Sequence, residues 1–258
     1  MRIATWNVNS LKVRLPKVEE WLAYARPDVL CMQETKLADS AFPALAFSAL
    51  GYDSAHCGEG RWNGVAILSR VGLDDVTAGF SDQAEDETTE ARLLWATCGG
   101  VRVGSVYVPN GRMVGTEHYE AKLAWLERLR LHVQTTGDPT AKLTICGDFN
   151  VAPDDRDVWD PTKLHGGTHV SPAEREAVAA MCRWGLSDVF RARYPEAGVY
   201  SWWDYRAGDF HQGRGLRIDL VLATRAMAER ATWAIIDRQA RKGKLPSDHA
   251  PLLVDFDL

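Results

Sequence analysis

Short apolar runs that end in a polar residue alternate with amphipathic stretches along the whole chain, and this pattern limits the fold more than any other feature. Arg2 to Val8 reads as a strand. Val18, Trp21, Leu22 and Ala25 then fall at i, i+3, i+4 and i+7 on one face of a helix that Pro27 ends. Asp28 to Gln33 is a second strand, stopping at Glu34. Val65 to Leu68, Leu93 to Thr97 and Val101 to Val108 read as strands, followed by a helix carrying Tyr119, Leu123 and Leu126. Leu143 to Cys146 runs into Gly147, and Leu216 to Leu222 and Pro251 to Phe256 supply late strands. Ser171-Pro172-Ala173-Glu174 is a capping box with proline at the first helical position, and Gly185 fits the C-terminal stop of that helix. There is no low-complexity tract, linker or repeat, so the pattern predicts one domain over residues 1–258, with sheets covered by helices on their outer faces.

Composition narrows the function classes. A chain that is 46% hydrophobic and 25% charged is globular rather than disordered. Cys31, Cys57, Cys98, Cys146 and Cys182 are scattered, odd in number and without a CxxC pair, which predicts reduced thiols in a cytoplasmic core. MRIATWNVNS enters strand sequence at once and leaves no room for a signal peptide. Apolar stretches are too short to span a bilayer, so no membrane partner is expected. A net charge of −5 argues against a protein that merely coats phosphates, while an acidic site inside a locally basic rim stays compatible with DNA.

Polar residues gather at strand ends, where α/β folds build sites. In GDFN, Asp148 and Asn150 sit at i and i+2, so on extended backbone they point the same way. A carboxylate beside an amide can hold and deprotonate a water; the alternative is an ordinary polar turn. Asp219 interrupts the apolar run LRIDLVLA, and a buried carboxylate there needs a partner, for which His249 in PSDHAP is the best candidate. QETK places Glu34 at the sheet edge, and magnesium is held by one or two carboxylates, so Glu34 with Asp248 or Asn9 would suffice. YVPNGR brings Tyr107, Asn110 and Arg112 together as donors to phosphate oxygens. Zinc spacing, GxxxxGK[ST] and a strand-linked GxGxxG are all missing, so no nucleotide cofactor is implied.

Two segments read as a DNA rim. One interleaves Trp202, Trp203 and Tyr205 with Arg206, Arg214 and Arg217; the other carries Arg238, Arg241, Lys242 and Lys244. For either segment alone, a solvated loop face is the simpler reading.

In order, TWNVNSLKVRL, QETK, YVPNGR, GDFNVAP, YSWWDYR, GLRIDLVLA and PSDHAP resemble the exonuclease III family of abasic-site endonucleases, in the endonuclease/exonuclease/phosphatase superfamily and its bacterial branch. The resemblance runs from Arg2 to Phe256. It implies an α/β (α+β) four-layer sandwich: two facing mixed β-sheets covered by helices. It implies magnesium, with manganese able to substitute, and Glu34 as main ligand assisted by Asn9 or Asp248; a second ion would draw on Asp148 and Asn150. Asn7 and Asn150 would support Asp148, which activates or positions the attacking water. Tyr107 would stabilise the phosphate, and Asp219 would orient His249, as phosphate stabiliser or base. Trp202, Leu216 and Ile218 would wall in the flipped-out abasic sugar, although on an extended strand Leu216 and Ile218 face away from Asp219. The substrate implied is double-stranded DNA with abasic sites or blocked 3′ ends, cut by a monomer in the cytoplasm. Vertebrate-type members have an acid where Asn9 stands, which leaves the number of ions open, and a Phe and a Trp around the abasic pocket where this chain has Trp202 and Leu216. A general nuclease or a lipid or inositol phosphatase shares the Glu, Asp-x-Asn and Asp–His core. An inactive DNA-binding module would need none of these positions filled.

Overall fold

The computed structural model describes residues 1–81 and 90–258. Its strands form two sheets of six. One runs β11-β12-β1-β2-β4-β3, with β1 at Arg2–Asn7, β2 at Val29–Gln33, β3 at Asp53–Cys57, β4 at Val65–Ser69, β11 at Ala231–Ile236 and β12 at Leu252–Phe256. The other runs β5-β6-β7-β8-β10-β9, with β5 at Asp74–Ala78, β6 at Leu93–Cys98, β7 at Val101–Tyr107, β8 at Leu143–Asp148, β9 at Leu186–Asp188 and β10 at Asp219–Thr224. Both sheets are mixed, because β1 pairs with β2 and β7 with β8 in parallel. A parallel pair needs a crossover, supplied here by helices α1 (Leu11–Ala25) and α3 (Glu117–Thr136). Shorter α2 (Ala44–Ala49) and α4 (Pro161–Leu164) lie in connections, and α5 (Pro172–Trp184) packs beside α3.

Three apolar layers hold four layers of structure together. Between the sheets, Ile3, Cys31 and Ile67 meet Ala96, Val103, Cys146 and Val221. Outside the first sheet, Ala4, Leu30 and Leu68 receive the predicted α1 face of Val18, Trp21, Leu22 and Ala25. Outside the second, Leu93, Ile145 and Leu222 receive Leu126, Leu129, Val133 and Met181. Sheets covered on both faces explain why their central strands read as continuous apolar runs rather than alternating ones. All five cysteines are free, and no described helix is long and apolar enough to cross a membrane.

Strands β3, β5, β9 and β11, which the sequence pattern does not single out, are the four sheet edges. Two of them carry little apolar signal: β5 is DDVTA and exposed throughout, and β9 has three residues. The late strand begins at Asp219 rather than Leu216. Before it, Leu216 pairs with Trp202 instead, and Ser201 Oγ accepts the backbone N–H groups of Ile218 and Asp219 at 3.2 and 3.1 Å. On α3 the buried face is Tyr119, Lys122, Leu126, Leu129 and Val133, so a lysine holds the position next to the expected Leu123, which is only half-buried.

Candidate active site

Period-two alternation carries polar side chains to one end of the inter-sheet layer. Along β1 the inward residues are Ile3, Thr5 and Asn7; along β8 they include Cys146 and then Asp148. Parallel pairing sets the C-terminal ends of β1 beside β2 and of β7 beside β8, with Tyr107 opposite Asp148. Strand β10 runs antiparallel to β8, so its first residue, Asp219, also lies opposite Asp148. His249 arrives just before β12, and Trp6 Nε1 donates to its carbonyl at 3.2 Å.

One amide links the two carboxylates at the centre. Asn7 Nδ2 donates to Glu34 Oε1 at 2.8 Å and to Asp148 Oδ2 at 2.9 Å, while Asn7 Oδ1 accepts the backbone N–H of Asn9. Asp148 Oδ1 accepts the backbone N–H of Asn150 at 2.9 Å. Asn150 Nδ2 donates to Val108 O, and its Oδ1 accepts from Asn110 Nδ2 at 3.2 Å. His249 Nδ1 lies 2.8 Å from Asp219 Oδ2, and its Nε2 lies 3.7 Å from Asp148 Oδ2. Asn7, Asp148, Asn150, Asp219 and His249 are all buried. Glu34 and Asn150 have positive φ, 52° and 50°, outside the region β-carbon residues prefer.

This burial sets the charges. Desolvation opposes a charge on His249, but the carboxylates of Asp219 and Asp148 outweigh it and raise its pKa to about 10, so the ring is an imidazolium at neutral pH. Burial raises the pKa of Asp148 to about 7, with His249 pulling it down and Asp219 and Glu34 pushing it up. Burial, then Glu34 and Asp148, push the Tyr107 hydroxyl well above its ordinary value, which keeps it a phenol and hence a donor.

Glu34, Asp148 and His249 form a group whose ligand atoms all lie within 4.8 Å of one another. Beside it, Lys36 Nζ sits between Glu34 Oε2 at 2.8 Å and Asn9 Oδ1 at 2.6 Å, so this spot already accommodates a cation. Asp248 flanks it, receiving Asn9 Nδ2 on one oxygen and Trp202 Nε1 on the other. An oxygen-rich, carboxylate-dominated donor set of this kind fits a hard divalent ion.

Leu216 and Ile218 are buried with Ala152, Val158 and Val170, and Trp202 packs against them. Trp202 forms bridges to both Leu216 and His249, so this apolar patch and the Asp219–His249 pair are joined through it despite pointing to opposite sides of the chain. Arg112 is exposed on the loop after Asn110. Arg206 and Arg214 are held by Asp204 and Asp209 of their own loop. The rim needs correcting at three positions, the first being Trp203, which is fully buried in the layer between the sheets. Arg217 is fully buried between Asp157 and Asp188, and Arg241 is buried against Trp203 and Phe210 with its Nη1 on Ser247 O. Their carboxylate and aromatic partners lie elsewhere along the chain, so only the fold shows that these arginines are internal. The sequence pattern also passes over Lys36, Lys122 and His169, and reads Glu174 only as a helix-capping residue. The Lys36 position beside Glu34 in QETK is its only signal; the ring of His169 lies 6.4 Å from that of Trp202.

The chain matches the model of the endonuclease/exonuclease/phosphatase family over residues 4–249. It is 32% identical to exodeoxyribonuclease III of Haemophilus influenzae, over 99% of this chain and 100% of that protein. An AP endonuclease from Archaeoglobus fulgidus superposes with a TM-score of 0.95 at 40% identity, covering 100% of both chains. The 3′ phosphatase NExo from Neisseria, solved bound to a product DNA hairpin, gives 0.94 and 40%, again over 100% of both chains.

Proposed function

This chain belongs to the endonuclease/exonuclease/phosphatase family as a DNA-repair nuclease of the exodeoxyribonuclease III type, and on that premise we propose that it hydrolyses the DNA backbone 5′ to abasic sites and clears blocked 3′ ends with magnesium. The observation that carries this reading is the single Asn7 amide spanning Glu34 and Asp148, with the His249 imidazolium against the same Asp148 oxygen.

The family is metal-dependent. Glu34 would hold the ion, with Asn9 and Asp248 beside it and Asp148 and Asn150 at hand for a second; manganese would serve in its place. Bound there, the ion supplies positive charge that offsets the charge developing on the phosphate. Asp148 holds and deprotonates the attacking water, and Asn7 and Asn150 fix the carboxylate's orientation. His249, charged and oriented by Asp219, donates to a phosphate oxygen, as do Tyr107, Asn110 and Arg112. Arg206 and Arg214 contact the duplex from the adjoining loop.

Glu34→Ala should raise the magnesium concentration needed for half-maximal cleavage. A metal titration on an end-labelled duplex checks this, and an unchanged requirement would place the ligand elsewhere. Trp202 over Leu216 and Ile218 gives a small apolar surface suited to a sugar without a base, whose extrusion forfeits little stacking. Trp202→Ala should therefore narrow the preference for abasic over intact duplex by about 1–3 kcal/mol, the scale of an apolar pocket contact. Equal falls in kcat/KM on both duplexes would make Trp202 scaffolding only.

A further inference from the structure

Lys122 is the outlier of α3. It occupies a core position on the helix face, its side chain is fully buried, and all the hydrogen-bonding directions of its ammonium are used. Nζ donates to the carbonyls of Asn150 at 2.6 Å and Asn110 at 3.2 Å, and to Glu174 Oε1. Glu174, equally buried at the start of α5, accepts the backbone N–H groups of His169 and Ser171 at 3.0 Å each and the Ser171 hydroxyl at 2.6 Å. One ion pair thus ties together three loops: YVPNG, GDFN and the segment entering α5. Gly111, at φ +83°, leaves room for the lysine stem, since a Cβ there would come within 2.7 Å of Lys122 Cδ.

Stability alone accounts poorly for this arrangement. Two charges taken fully out of water seldom outperform a well-packed apolar pair of similar size. The site does need something the pair provides. Asn150 holds a left-handed backbone (φ 50°), a strained state for a residue with a Cβ, and that conformation aims its N–H at Asp148 Oδ1. Its carbonyl is pinned in the required direction by two donors, Lys122 Nζ and His169 Nδ1, each at 2.6 Å, and Glu174 in turn fixes the backbone of His169.

We infer that Lys122 and Glu174 are positioning residues for the Asp148–Asn150 turn: they hold the Asn150 carbonyl so that its N–H and side chain keep the Asp148 carboxylate oriented. The inference rests on Asp148 and Asn150 serving as proposed above. Neither Lys122 nor Glu174 touches substrate in this account, so removing the pair should lower kcat and spare KM.

The test compares Lys122→Met, the charge-free double variant Lys122→Met/Glu174→Gln, Lys122→Arg and Asp148→Asn on an abasic-analogue duplex in excess magnesium. Assays run well below each variant's thermal midpoint, so the unfolded fraction is negligible. The single Met variant strands a buried carboxylate and is expected to be unstable; the double variant carries no unpaired charge and keeps the question open if the single fails to fold. A folded double variant should lose on the order of 10- to 100-fold in kcat, the scale of small misplacements of reacting groups, with KM within about twofold. Lys122→Arg, which keeps a cation and several donors, should recover most of that loss. A folded double variant with wild-type kcat would overturn the inference, as would a kcat loss that vanishes on cooling further below the midpoint. Asp148→Asn separates the two levels: if it is inactive while the double variant is fully active, the positioning role alone is wrong. If Asp148→Asn itself turns over normally, the reading of the site beneath it is wrong.

Discussion

Asp148→Asn should lower turnover by on the order of 10²- to 10⁴-fold, the usual worth of a positioned general base, with DNA binding largely kept. The carboxylate is buried and reached by three donor groups and by His249 Nε2. An amide in its place keeps one acceptor, but sets an NH₂ group against the Asn7 and Asn150 amides and cannot take a proton from water. Stability should respond in the opposite sense. Burial raises the pKa of this acid to about 7, so ionising it disfavours the folded state as pH climbs from the ordinary carboxylate range toward 7. Without added metal at pH 8, the Asn variant should therefore melt no lower than the wild type. Retained turnover would show that Asp148 is not the base, and a loss that follows a lowered melting temperature would show that it acts in folding. The same shift predicts an acidic limb in the pH–rate profile near 7 when metal is scarce. Saturating magnesium should move that limb to lower pH, because a nearby cation favours the carboxylate.

His249→Ala should lose on the order of 10²-fold or more, the scale for removing a preorganised donor at developing negative charge. Asp219→Ala should resemble it, and the double variant should be little worse than either single one, because residues that act as a unit are not additive. The structural basis is the 2.8 Å contact between Asp219 Oδ2 and His249 Nδ1, with Asp219 Oδ1 buried and without a hydrogen-bond partner among the described residues. This couples the two groups tightly. Additive losses would mean that they work separately. A pH measurement adds a second check. Burial opposes the charge on His249 and Asp219 is the first influence that raises its pKa to about 10, so Asp219→Asn should lower it. The alkaline limb, where the donor proton is lost, should then move to lower pH in that variant. An unmoved limb would point to another group losing its proton there.

Much of this architecture follows from the sequence because it rests on local rules. Short apolar runs bounded by Gly, Pro and polar residues marked the central strands, and the α1 face of Val18, Trp21, Leu22 and Ala25 and the Ser171–Glu174 capping box appear as the spacing predicts. Polar residues at or within those runs also pointed to Asn7, Glu34, Tyr107, Asp148 and Asp219, and PSDHAP to His249, and the structure brings all six to one edge of the inter-sheet layer. The edge strands were not legible; β5 is polar and exposed and β9 only three residues long, so both look like loops. Nor were the charges inside. Lys122 and Arg217 have the sequence appearance of solvent-facing cations, and only the partners delivered by distant segments, Glu174 for one and Asp157 and Asp188 for the other, decide that they are internal. What a residue's own neighbours in the chain determine is its element and its face. Whether a buried charge is tolerated, and which loop carbonyl it holds, depends on contacts outside its own element, as with Lys122 and Asn150 at a separation of 28. Such contacts exist only once the sheets have paired and the helices have packed against them.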